Sequence, residues 1–183
     1  MANMMDFWRK VWKSVGDYSY IVDSEATRKK QHPVSYVFPV KDNFGEKNGE
    51  CVYKSLEECC RSMGELKYDE KYWIELKGTD IINPEGVLFH ELSGYIASSG
   101  VFGVTRMLPP EGVIQAYNNN WRVLICKDNH MAVVKEMKLW SDKSYQIIVA
   151  ETSPEPQFDS KELKRKASDL VNYAFFSFYK TKL

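Results

Sequence analysis

The sequence predicts one α+β domain spanning residues 1–183, with an antiparallel sheet in its second half and amphipathic helices at both termini. Three observations lead there. Apolar residues recur at three- and four-residue steps near each end, the second half alternates with period two, and short turn sequences separate the alternating runs. At 183 residues, 44% hydrophobic and 27% charged, the chain can bury a full core and lies near the globular average, which argues against disorder.

Met4, Phe7, Trp8, Val11, Trp12 and Val15 form one face of an N-terminal helix that Gly16 ends. Residues 17–33 read as a connector. Residues 35–40 read as an edge strand, because Pro39 has no amide hydrogen for a ladder. Residues 42–49 are rich in turn formers, so Cys51-Val52-Tyr53 is expected to pair back as a hairpin. Ser55-Leu56-Glu57-Glu58 matches a capping box, and the helix it opens places Leu56, Cys59 or Cys60, Met63 and Leu66 on its core face. Residues 68–76 continue as helix or strand, with helix favoured. Pro84 opens another through His90, Tyr95 and Ile96, which Gly100 and Gly103 break. Residues 113–117 fit neither period well. Residues 121–126, 131–137 and 145–150 then alternate as strands, joined by turns at 127–130 and 141–143, and make an antiparallel meander. After a stop at Pro154 and Pro156, Asp159 or Ser160 caps a final helix with Leu163, Ala167, Leu170, Val171, Ala174 and Phe178 on one face.

Net charge is zero and the pI about 6.8, so nothing in the overall field calls for nucleic acid. The charge is uneven: residues 42–91 carry a net −6, and each flank carries +3. The chain opens without a signal-peptide pattern and has no apolar run of about 18 residues, so stable membrane insertion is not expected. Four irregularly spaced cysteines, Cys51, Cys59, Cys60 and Cys126, fit reduced thiols and a cytoplasmic location rather than a disulfide scaffold.

No motif for a metal or cofactor is complete, so neither is expected. His90-Glu91 resembles the start of HExxH, but Gly94 stands where the second histidine belongs. Cys59-Cys60 points its thiols about 100° apart on a helix, which does not chelate zinc in the usual way. Gly94, Gly100 and Gly103, with their serines, lack the strand and the Lys-Ser/Thr of a phosphate loop. Two catalytic readings remain: His90 as a base beside Glu91, and Cys126 activated by His130 across a turn. Neither forms a coherent set, so the sequence leans away from catalysis. It favours a protein-binding module of inhibitor, immunity-protein (toxin-antidote) or adaptor type. Glu57, Glu58, Glu65, Asp69 and Glu70, with Tyr72 and Trp73, would then face a basic protein partner. The alternative is a small hydrolase or transferase with a His/Glu or Cys/His site.

Overall fold

A computed structural model of the chain describes residues 32–43, 50–78, 87, 89–128, 130–152, 162–165 and 173–182. The expected N-terminal helix lies outside them.

The alternating runs form the expected meander. Strands β3 (Arg122–Lys127), β4 (His130–Leu139) and β5 (Tyr145–Ala150) pair antiparallel in sequence order, through a tight turn at Asp128 and another at Asp142 and Lys143. β5 holds one edge of β4 along Val133–Leu139. β1 (Val34–Val37) takes the other edge where β3 has ended, with Val34 opposite Leu139. The remaining strands are β2 (Phe102–Met107), β6 (Glu162–Arg165) and β7 (Ala174–Lys180). The sheet runs β2-β7-β3-β4-β5-β6, with β1 beside β4. The α+β antiparallel class is therefore correct.

The final helix is not. Residues 162–165 are strand β6 and residues 174–180 are strand β7, inserted between β2 and β3. Its Phe-rich run is buried from both sides, as befits an interior strand, and such a run matches helical spacing as readily as strand spacing.

Helices cover the sheet. α1 (Cys51–Ser62), α2 (Glu70–Lys77) and α3 (Leu92–Ala97) share one face with Phe102, Phe178 and Arg122, which the pairing register sets side by side. Trp73 of α2 is the centre of that layer. Its ring meets Tyr95, Phe102 and Phe178 at 5.8–6.5 Å between centroids, and its Nε1 donates to the Tyr68 carbonyl at 3.1 Å. Leu56, Cys59 and Cys60 of α1 are fully buried here.

α4 (Glu111–Asn118) packs against β1, β3 and β7. Met107, opposite Phe175 and so in line with Ile125, points away from the face that α1 covers, and Gly112 of α4 sits directly on it. A Cβ at Gly112 would lie 2.6 Å from the Met107 Cβ, closer than any side-chain swing relieves. Gly112→Ala is therefore expected to destabilise by about 1–3 kcal/mol through overpacking. A urea-denaturation midpoint reads this, and an unchanged midpoint would show that α4 shifts freely.

Candidate functional site

The site begins at the start of α1. Val52, Leu56, Cys59 and Cys60 recur at helical spacing and bury against the sheet, which makes residues 51–62 a helix. The expected strand at Cys51-Val52-Tyr53 is thus corrected: these residues are its first turn. Ser55 is an interior residue, not a cap, and its hydroxyl donates to the Met131 carbonyl at 3.4 Å. Leu66 is also corrected; the helix stops at Ser62 and leaves Leu66 71% exposed.

Two contacts set the direction of α1. Near its C-terminus, Ser62 Oγ accepts from Arg122 Nε at 2.7 Å, at the start of β3. Toward its N-terminus, Ser55 reaches Met131, at the start of β4. The helix therefore runs antiparallel to β3 and brings Cys51, its first residue, to the end of the sheet where the β3–β4 turn lies. A helix N-terminus favours negative charge there, and the Glu50 side chain does not cap it. Cys51 keeps 6% of its surface accessible, against 1% or none for Cys126, Cys59 and Cys60. Burial pushes the Cys59, Cys60 and Cys126 thiols well up, which suits packed hydrophobes rather than nucleophiles.

At the same end of the sheet, His130 opens β4 and Glu151 follows directly on β5. Antiparallel pairing of these strands makes the two residues neighbours, with His130 Nε2 3.6 Å from Glu151 Oε2 and both side chains buried. Glu151 is held by its backbone: its amide donates to Asp42 Oδ1 and its carbonyl accepts from the Asn43 amide, each at 2.9 Å.

The residues singled out in sequence fare differently. Cys126 lies opposite Met131 and Lys127 opposite His130, so alternation sends Cys126 and His130 to opposite faces of the sheet. Their expected pairing across the turn is not formed. His90 lies exposed in a 3₁₀ turn, Phe89–Glu91, and Glu91 is tied to Lys77 Nζ at 2.9 Å.

The acidic set does not present a free rim. Glu58, expected in solvent, is buried; it pairs with Arg61 and accepts from the Lys41 amide at 3.1 Å. Glu57 accepts from Asn43 Nδ2 and the Glu70 amide, Glu70 pairs with Lys54 at 2.5 Å, and Glu65 pairs with Lys180. Asp69 caps α2 by accepting from the Tyr72 amide at 2.9 Å. Tyr72 is half-buried, its ring edge-on to Tyr68, and Trp73 is wholly in the core. Glu57, Glu58, Glu65 and Asp69 do line a cavity of about 210 Å³, each already engaged by the neighbour named above. Of the two aromatic anchors of the expected docking surface, Trp73 is a core residue and Tyr72 packs half-buried against the core.

Sequence reasoning missed Cys51 and Glu151. The findable signals were a cysteine opening an apolar helical stripe, and an acid just past the strand that follows a histidine-led one. Among the described residues no group of three or more His, Cys, Asp or Glu is arranged to hold a metal ion, and no helix is long and apolar enough to cross a membrane.

No protein-family model matches the sequence, and no curated protein matches it. Among solved structures, the fold is similar to the crystal structure of UfSP from C. elegans. The TM-score is 0.50 and the identity 8%, over 83% of this chain. The chain spans 35% of the length of that protein. At this identity the likeness is one of fold. It corrects the expectation of a non-enzymatic inhibitor, immunity protein or adaptor: the likeness found is to UfSP and not to a module of those kinds, and it favours the hydrolase alternative.

Proposed function

We propose that the chain is a cysteine hydrolase that cleaves an amide bond by acyl transfer, with Cys51 as nucleophile, His130 as general base and Glu151 as the group that orients the imidazole. The observation that carries this reading is the buried His130–Glu151 pair at the end of the sheet that the N-terminus of α1 reaches. A nucleophile, a base within reach and a third group holding the base is the constellation that activates a thiol. The fold likeness to UfSP, a cysteine protease, supports a peptide bond as the substrate.

In this reading His130 takes the Cys51 proton, and the thiolate attacks the scissile carbonyl. Backbone amides at the start of α1 lie where negative charge on the carbonyl oxygen develops. The imidazolium returns its proton to the leaving amine as the C–N bond breaks, leaving a thioester. His130 then takes a proton from water, the hydroxide attacks the thioester carbonyl, and the thiolate leaves, to be protonated again by the imidazolium. Glu151, acceptor only when ionised, favours the imidazolium formed in both halves. The reading requires the imidazole to reach Cys51 around the end of the sheet. His130 is the first residue of β4, at the end of the strand beside the β3–β4 turn, and the reading places this approach there.

The test is turnover of a fluorogenic peptide-amide library by the full chain and by Cys51→Ala. Hydrolysis that disappears in Cys51→Ala supports the assignment; hydrolysis that persists in it contradicts the assignment.

A further inference from the structure

Residues 41–43 connect the two halves of the candidate site. On one side they are bound to α1: the Lys41 amide donates to Glu58 Oε1 at 3.1 Å, and Asn43 Nδ2 donates to the Lys54 carbonyl at 3.1 Å and to Glu57 Oε1 at 2.9 Å. On the other side they are bound to Glu151: the Asn43 amide donates to its carbonyl and Asp42 Oδ1 accepts from its amide, each at 2.9 Å. The Lys54 carbonyl lies within the first turn of α1, three residues from Cys51. Both hydrogens of the Asn43 side-chain amide are committed to α1, so this group is a tie within the protein and not a ligand donor. A displacement of about 1 Å between reacting groups is enough to cost a hundredfold in rate.

We propose that Asp42 and Asn43 form a positioning clamp that fixes Glu151, and through it His130, against the N-terminus of α1 and Cys51. This rests on the assignment of Cys51, His130 and Glu151 above. Neither clamp residue touches the reacting atoms. Asp42 and the Asn43 main chain act through Glu151, which they hold on both sides, while the Asn43 side chain acts through α1, which it holds at Lys54 and Glu57.

The experiment measures the rate of iodoacetamide alkylation at Cys51 from pH 5.5 to 9 on the full chain, by peptide mass mapping, with thermal unfolding of each variant in parallel. A thiol paired with an imidazolium stays reactive in the acid range, whereas an ordinary thiol loses roughly tenfold per pH unit below its pKa. The wild-type chain is expected to keep its reactivity to pH 6, and His130→Ala to follow the ordinary thiol. Asn43→Ala and Asp42→Ala are expected to lose about tenfold at pH 6, approaching the His130→Ala profile. Asp42→Asn keeps an acceptor oxygen and is expected to stay within about threefold of wild type. Gly112→Ala lowers stability from the other face and leaves the profile unchanged. Should Asn43→Ala fail to fold, Asp42→Ala, whose lost bond is to Glu151 and not to α1, reads the same quantity. Folded clamp variants with a wild-type profile, beside a His130→Ala that loses it, would overturn the clamp and leave the catalytic assignment standing. A His130→Ala profile like that of wild type would overturn both.

Discussion

Replacing His130 by Ala is expected to slow hydrolysis by about 10²–10⁴-fold, the contribution of a positioned general base. The loss should fall on kcat more than on KM, since the imidazole moves protons and holds no distant part of the substrate. Glu151→Gln is expected to lose less, because it keeps a side chain of the same shape beside Nε2 while removing the charge that favours the imidazolium. His90→Ala is the control. His90 is exposed and far along the chain from the pair, so its replacement is expected to leave turnover unchanged. Kinetics on variants with wild-type circular dichroism check this order: His130 largest, Glu151 next, His90 none. Turnover that survives in His130→Ala but falls in His90→Ala would move the site to the 3₁₀ turn.

The second large effect is on stability. Trp73→Ala is expected to cost about 3–5 kcal/mol, the usual loss for a large aromatic removed from a core. Its ring is fully buried among Tyr95, Phe102 and Phe178, and its indole holds the Tyr68 carbonyl. Against a total stability of about 5–15 kcal/mol, that is a third or more for most domains. Trp73→Phe keeps most of the ring surface and is expected to cost less, with the Tyr68 carbonyl left without its donor. Urea unfolding followed by circular dichroism measures both. A Trp73→Ala variant as stable as wild type would place the ring at the surface, where a docking role required it.

Much of the sheet was legible. Residues 121–150 alternate cleanly and carry turn formers at fixed gaps, so local pattern alone specified β3, β4 and β5. What failed were elements defined by distant partners. β7 is a strand because β2 and β3 flank it, and those partners lie about 70 and 50 residues away in sequence. Its phenylalanine run has no period that separates strand from helix. The start of α1 failed for a local reason: Val52 and Tyr53 favour strands and the preceding turn formers suggested a hairpin, while the buried stripe that makes the helix declares itself only further along.

The candidate site was half legible. His130 was singled out, but with Cys126, because a four-residue gap across a turn suggests proximity. Register decides otherwise: a pair that is off by one residue in a hairpin points to opposite faces. Glu151 carries no local signal: it falls just past the strand that ends at Ala150, and its link to His130 depends on how β4 and β5 align. The acidic residues were read as a solvated rim since composition carries no information on partners. In the fold, Arg61, Lys54 and Lys180 meet Glu58, Glu70 and Glu65, and Asn43 meets Glu57.

The central claim is that Cys51, and no other cysteine, is the nucleophile. Brief treatment of the native chain with substoichiometric iodoacetamide at pH 6.5, followed by peptide mass mapping, tests it most directly. Cys59, Cys60 and Cys126 are buried with raised thiol pKa values, while Cys51, also buried, stands at the helix N-terminus and keeps 6% of its surface accessible. The account predicts label on Cys51 alone, with the other three modified only after unfolding. Label on Cys126 first, or an even spread over the four, would contradict it.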